Sequence, residues 1–305
     1  MLERDYLRWL REQSKPFPQV TLGIGDDAAI LARHSDQTVI TSDLLVDQVH
    51  FSVGTTKLEL IGRKAIAVSL SDIAAMGAIP LAAVINLCLP KTFSLKDAQR
   101  LHFGATTIAT EFNCPIVGGD TNRWDQGLVI GSTIVGKLAS CGWRIDGAKS
   151  GDRIIVTGPL GGSILSKHLV FEPRCRIAEY LATKYDIHAA TDISDSLTVD
   201  LNEMASRSNV GVEVFSEKIP LSDDARRLAG TNATDRMTPL EHAMYDGEDF
   251  ELLLAADPEQ TDLMLRDPKL KGSLFEIGRF VAQRGIFLVD SQGTATRIEP
   301  RGYEH

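Results

Sequence analysis

Cysteine is scarce in this chain and shows no pattern. Cys88, Cys114, Cys141 and Cys175 are its four cysteines, with no CxxC spacing and no neighbouring histidine pair. That argues against a zinc site or a disulfide framework and for reduced thiols. Long apolar runs are missing too: no stretch approaches the roughly 20 residues of a transmembrane helix, and the charged segment Met1 to Val20 lacks the apolar centre of a signal peptide. A cytoplasmic location and no membrane partner are the default expectations. Positive charge is in deficit, with 32 Lys and Arg against 41 Asp and Glu and a formal net charge of −9. A broad basic face for nucleic acid is therefore not expected, because phosphate neutralisation needs clustered cations. Familiar catalytic signatures are also absent. The chain has no GxxxxGK[ST], no GxGxxG, no HRD or DFG pair and no GxSxG elbow. Gly158 to Gly162 is glycine-rich but lacks the following Lys-Ser/Thr, so it reads as a tight strand-to-helix turn.

The 305 residues suffice for one large domain or two ordinary ones, and 43% hydrophobic with 24% charged residues is a globular composition. No solenoid-length repeat or low-complexity tract interrupts it. Apolar β-type runs alternate with helical periods, which predicts an α/β or α+β architecture. Strands are expected at residues 38–46, 81–89, 128–138, 153–157, 251–256, 275–280 and 285–289. Helices are expected at 57–75, 94–111, 174–184 and 196–208, with Ser94 as an N-cap. A second unit begins near Gly147, with a boundary in residues 139–150.

Acidic residues recur beside glycines and hydroxyls. The clusters are Gly23-Ile24-Gly25-Asp26-Asp27, Thr41-Ser42-Asp43 at a strand end, and Ser71-Asp72 on the apolar face of a helix. They continue with Gly118-Gly119-Asp120-Thr121 as a turn, Asp192-Ile193-Ser194-Asp195-Ser196, and Asp246-Gly247-Glu248-Asp249. Any one of them reads equally as a solvated turn or a cap. Together they suggest carboxylates that need a divalent counter-charge, because converging acids repel and raise one another's pKa. Mg²⁺ prefers a few carboxylates with phosphate oxygens and water, which fits nucleotide phosphate chemistry.

The order of these motifs resembles the thiamine-monophosphate kinase family of the aminoimidazole ribonucleotide synthetase and selenophosphate synthetase superfamily. The matching stretches are GIGDDAAIL from Gly23, TSDLLVDQVHF from Thr41, GRKAIAVSLSDIAAMGAIP from Gly62 and VGGDTNR from Val117. GAKSGDRIIVTGPLGG from Gly147, DISDSL from Asp192, DGEDFELLL from Asp246 and the closing GYEH complete the set. The resemblance implies a two-domain α/β fold of the aminoimidazole ribonucleotide synthetase type. Residues 1–140 would bind ATP and Mg²⁺ and form a homodimer through a shared β-barrel. Residues 141–305 would be an α/β domain covering the active site. It implies several Mg²⁺ ions held or surrounded by Asp27, Thr41, Ser42, Asp43, Asp72, Asp120, Asp192 and Asp195. ATP would meet Gly119, Asp120 and Ser194, with Arg144 neutralising phosphate charge. His50 and Glu248 would touch thiamine monophosphate, and Tyr303 would stack on it. The implied reaction is in-line transfer of the ATP γ-phosphoryl group to the acceptor phosphate, with no general base.

The chain departs from the family pattern at Ser196, where Gly is usual, and at Asp246, where Gly-Gly-Glu-Asp is usual; Cys141-Gly142-Trp143 is also not an expected pattern. Two other readings follow: another ATP-using superfamily member with a different small acceptor, or a nucleotide-binding homologue with impaired turnover. The lack of a reactive N-terminal Cys disfavours selenophosphate synthetase, and the lack of a C-terminal Cys disfavours the hydrogenase-maturation branch.

Overall fold

A computed structural model describes residues 6, 9–10, 12–13, 15–22, 29–34, 36–231 and 237–303. The chain divides into two compact units. Unit 1 comprises residues 1–73 and 79–138, and unit 2 comprises residues 74–78 and 139–305.

Among the described residues, unit 1 opens with a small antiparallel pair, β1 (Val20–Leu22) and β2 (Ile30–Leu31). Its main sheet has four strands: β3 (Thr38–Val46), β4 (Ala78–Pro90), β5 (Ile116–Trp124) and β6 (Val129–Leu138), in the order β3-β6-β4-β5. β3 and β6 run antiparallel over their full length, while β4 and β5 run parallel. The parallel pair needs a crossover, and helix α2 (Leu95–Glu111) supplies it. Ser94 closes a capping box there, its hydroxyl taking the Asp97 N–H while the Asp97 carboxylate takes the Ser94 N–H. Such a cap is worth about 1 kcal/mol. Helix α1 (Leu58–Ala75) precedes β4 and buries Ile61, Ala65, Ile66, Val68 and Leu70.

Unit 2 is built on a seven-stranded mixed sheet among the described residues. Its strands are β7 (Arg153–Val156), β8 (Ala189–Asp192), β9 (Gly211–Phe215), β10 (Leu252–Ala256), β11 (Phe275–Val281), β12 (Ile286–Val289) and β13 (Ala295–Ile298). Their order is β13-β12-β9-β11-β7-β10-β8, with β12 and β9 the parallel pair. Every residue of β10 is buried, so its unbroken apolar run is that of a strand covered on both faces. Helices at Lys167–Val170 (α3), Cys175–Lys184 (α4), Leu197–Arg207 (α5), Asp223–Thr231 (α6), Pro239–Tyr245 (α7) and Pro258–Arg266 (α8) complete it. Leu197, Leu201 and Met204 on one face of α5 pack into a core with Val212, Val214, Ile277 and Phe280. Burying side chains of this size contributes about 1.5–3 kcal/mol each.

The structure corrects three expectations. Gly118-Gly119-Asp120 is not a turn but the middle of β5, paired with Val84, Ile85 and Asn86 of β4. Gly119 holds φ at +145°, and a Cβ there would sit 1.8 Å from the Ile85 carbonyl oxygen. The glycine serves close strand approach rather than chain reversal. Thr41-Ser42-Asp43 likewise lies inside β3, opposite Ile134, Thr133 and Ser132, and not at its end. β4 starts at Ala78, ahead of the expected Leu81, and runs through Pro80. Strands β8, β9 and β13 and helices α6, α7 and α8 were not anticipated, being short or interrupted by polar residues.

Candidate functional site

In unit 1 the sheet register decides where the acids point. Thr41, Ser42 and Asp43 are consecutive, so alternate side chains face opposite sides of β3. The Asp43 side is half-buried and lies toward α1, where Ser69 Oγ donates to its carboxylate and also meets Ser132 Oγ at 2.8 Å. Burial raises the Asp43 carboxyl above the usual range, opposed by the Ser69 hydroxyl and the nearby His50. One turn further along α1, Asp72 is half-buried and accepts the Thr41 hydroxyl. Ser42, on the other face, is exposed and bonds to the Ser132 carbonyl at 3.1 Å and Thr133 Oγ1 at 2.9 Å.

Asp120 reaches the same region from β5. Its N–H donates to Asn86 Oδ1 at 2.9 Å, and its carboxylate accepts Asn122 Nδ2 at 3.0 Å. Ser42, Asp43, Asn86, Asp120 and Asn122 line one concavity of about 320 Å³. Its carboxylate, hydroxyl and amide oxygens are hard groups of the kind that suit Mg²⁺, and the soft thiol of Cys88 also lines it. Among the described residues no group of three or more His, Cys, Asp and Glu side chains gathers as a ready-made metal cage. Mg²⁺ does not need one, since it retains waters and takes one or two carboxylates with substrate phosphates. The donor set therefore fits the ion. Asp27, with residues 23–28 around it, lies outside the described residues.

His50 sits in the loop after β3. Its Nδ1 accepts the Val46 N–H at 3.1 Å, which leaves the proton of a neutral ring on Nε2. Its carbonyl accepts Lys64 Nζ at 2.8 Å, from a lysine that is 0% exposed on α1.

In unit 2 the acids stand in loops and at the ends of elements. Asp192 ends β8, and the turn that follows is tied down by Asp200 from the first turn of α5. One Asp200 oxygen accepts the N–H groups of Ser194 at 3.1 Å and of Asp195 and Ser196 at 3.3 Å. Burial, with the charges of Asp192 and Asp195, pushes the Asp200 carboxyl up to about 8, against the Ser196 and Asp195 N–H donors. The carbonyls of the turn face other segments: Ser194 O accepts the Glu248 N–H at 2.7 Å, and Asp195 O accepts the Tyr303 N–H at 3.2 Å. Glu248 holds φ at +60°, and its carboxylate lies 3.2 Å from His168 Nδ1. Tyr303 is 46% exposed. Arg144 is exposed and forked onto Asp146 at 2.6 and 2.8 Å.

The glycine-rich turn after β7 is occupied by the chain's own acids. Asp249, 0% exposed, accepts the Gly161 N–H at 2.9 Å and the Ser163 hydroxyl at 2.6 Å, and Asp246 accepts the Gly162 N–H at 2.8 Å. Burial pushes the Asp249 carboxyl up to about 6, although Lys167 and these donors oppose it. Glu251, 1% exposed, works against the same burial. The Arg174 fork at 2.7 Å and Lys167 at 2.9 Å outweigh it and hold its carboxyl below the usual range.

The residues that sequence reasoning missed are thus Ser69, Asn86, Lys64, Asp200, His168 and the Glu251–Arg174–Lys167 network beside Asp249. Asp200 carried a signal, an acid in the first turn of the helix expected at 196–208. The others depend on partners distant in sequence.

Two family models match the chain: AIR synthase related protein, N-terminal domain, over residues 25–138, and AIR synthase related protein, C-terminal domain, over residues 149–291. A thiamine-monophosphate kinase of Rhodopirellula baltica is 36% identical over 312 residues, covering 100% of this chain and 97% of that protein. The crystal structure of thiamine-monophosphate kinase from Stenotrophomonas maltophilia K279a superposes with a TM-score of 0.81 at 32% identity, covering 97% of each chain. AaThiL complexed with AMPPCP and TMP superposes with a TM-score of 0.78 at 30% identity, covering 99% of this chain and 95% of that one. The chain belongs to the thiamine-monophosphate kinase family of AIR synthase related proteins.

Proposed function

We propose that this chain transfers the γ-phosphoryl group of ATP to thiamine monophosphate, forming thiamine diphosphate and ADP. The observation that carries this reading is the near full-length likeness to a family structure complexed with AMPPCP and TMP. In unit 1, Asp43, Asp72 and Asp120, with Thr41 and Ser42, are the proposed Mg²⁺ ligands or their immediate surround. Asp27, Asp192 and Asp195 are further proposed Mg²⁺ ligands on motif position. Bound Mg²⁺ would neutralise phosphate charge and fix the geometry of the phosphoryl group. Gly119, Asp120, Ser194 and Arg144 are assigned to ATP, and His50, Glu248 and Tyr303 to the acceptor.

An oxygen of the acceptor phosphate attacks the γ-phosphorus in line, the bond to the β–γ bridging oxygen breaks, and ADP leaves with that electron pair. The nucleophile is already anionic, so no side chain has to remove a proton, and positioning carries the catalysis. His50, held through Nδ1 by Val46, presents an Nε2–H donor suited to phosphate. We further assign residues 1–140 to ATP and Mg²⁺ binding and homodimer formation through a shared β-barrel, residues 141–305 to the second domain, and the protein to the cytoplasm.

The two departures from the family pattern have structural employment. Ser196 caps α5 through the Val199 N–H at 3.1 Å, and Asp246 accepts the Gly162 N–H. They do not favour a catalytically impaired homologue. ADP release, measured by a coupled assay with thiamine monophosphate and Mg²⁺, tests the proposal. Mg²⁺-dependent ATP binding with no turnover of any phosphorylated acceptor would overturn it.

A further inference from the structure

The segment Arg301–Tyr303 has no regular secondary structure, yet it is fastened at every residue. The Arg301 carbonyl accepts Ser196 Oγ at 2.7 Å and Thr198 Oγ1 at 2.9 Å, and the Arg301 N–H donates back to Thr198 Oγ1 at 3.1 Å. The Arg301 guanidinium stands 5.0 Å from the ring centroid of Tyr245. Gly302 is pressed so close that a Cβ would lie 2.7 Å from both Asp195 O and Ser196 Oγ. The Tyr303 N–H then reaches Asp195 O. The neighbouring carbonyl, Ser194 O, holds the Glu248 N–H. One turn therefore sets the spacing between Glu248 and Tyr303, with Asp200 gathering its N–H groups from behind.

We propose that Ser196 and Thr198 are positioning residues, a pair of hydroxyls that clamp Arg301 and so hold Tyr303 in fixed register with Glu248 for the phosphorylated acceptor. This rests on the reading that Glu248 and Tyr303 meet that acceptor. Ordering an irregular segment costs conformational entropy. A clamp that meets this cost before binding leaves more of the contact energy to appear as affinity. A Gly at position 196 would supply no hydroxyl, so the serine gives this chain a fastening that the usual family residue lacks.

Thr198→Val tests the clamp cleanly, because it removes the hydroxyl at constant shape and leaves the Ser196 cap on α5 in place. The expected result is a rise of about 5- to 10-fold in acceptor KM, the size of one or two lost hydrogen bonds. The ATP KM and the kcat at saturating acceptor should stay within about twofold. Thr198→Ser should restore the native KM. Gly302→Ala, which pushes the segment off from the other side, should have at least as large an effect. The double variant should be no worse than Gly302→Ala alone, since both act through one detachment. Hydrogen exchange of residues 301–303 supplies a readout independent of turnover, slow in the native chain and faster in Thr198→Val. Native exchange as fast as in a free peptide overturns the clamp, and so does an unchanged acceptor KM in a variant whose segment has detached. No turnover of thiamine monophosphate by the native chain, with residues 301–303 still protected, overturns the functional reading and leaves the clamp standing.

Discussion

Asp43 and Asp120 of unit 1 sit inside strands, where the sheet register aims their side chains and the groups around them are hydroxyls and amides. Asp200, Asp246 and Asp249 of unit 2 sit beside or within turns, and their oxygens are taken up by backbone N–H groups. A carboxylate on a strand is aimed by its backbone, and Asp43 and Asp120 each accept one side-chain donor, Ser69 Oγ and Asn122 Nδ2, leaving lone pairs that can serve a cation. A carboxylate that gathers amides spends its lone pairs on holding a turn. Motif spacing alone does not separate these uses, since both kinds of acid stand beside glycine and serine.

The largest expected effect breaks the comparison if it fails. Asp43→Ala and Asp120→Ala should each lower kcat/KM by about 10³-fold or more, roughly 4 kcal/mol of transition-state stabilisation. Their urea midpoints should remain near native, because neither carboxylate supports the sheet. A collapse in stability with little change in the activity of the remaining folded protein would make them structural. Asp200→Ala should do the reverse in kind. Three N–H groups of a part-buried turn lose their acceptor, and stability should fall by about 3 kcal/mol, read from urea unfolding.

Acid should act in opposite directions through one buried group of each unit. His102 in unit 1 is buried, with Trp9 and Tyr6 packed edge-on against its ring and Thr106 bonded to Nε2, and burial lowers its pKa from 6.5 to about 4. Its folded pKa is depressed, so the unfolded chain takes the proton first, and about 3 kcal/mol of stability is lost as pH falls from 6.5 to 4. Asp249 in unit 2 has its pKa raised from 3.8 to about 6. There the folded chain takes the proton first, so its contribution improves by about 3 kcal/mol as pH falls from 6 to 3.8. Hydrogen exchange resolved by unit, across pH 4 to 7, checks both signs. His102→Gln should flatten the loss in unit 1, and Asp249→Asn the gain in unit 2. The smallest effect concerns an acid with a mixed position. Glu248→Gln should raise the acceptor KM about tenfold, near 1.4 kcal/mol, and the ATP KM less. The opposite ranking in steady-state kinetics would move Glu248 out of the acceptor site.

Much of unit 1 was legible because its signals are local. The alternation in β3, the three- and four-residue apolar spacing in α1 and the Ser94–Asp97 box on α2 each lie within one element. The Gly118-Gly119 pair misled because its cause, the Ile85 carbonyl, belongs to another strand. Unit 2 hid more. Glu251 finds Arg174 77 residues away, and Asp249 finds Gly161 88 residues away. Nothing near either acid announces the partner that makes its burial tolerable. The motif order identified which acids matter as a set, while only the contacts separate those that tie turns from those left facing a concavity.

The turn at Gly161 and Gly162 has a further consequence. Its amides resemble a phosphate cradle, but Asp249 and Asp246 already fill it. An anion tethered to its own receptor competes at an effective concentration in the millimolar range or above. A stray nucleotide or inorganic phosphate would have to displace a fixed negative charge and then sit beside it. The chain's own acids thus occupy backbone amides at this turn that would otherwise be open to phosphate.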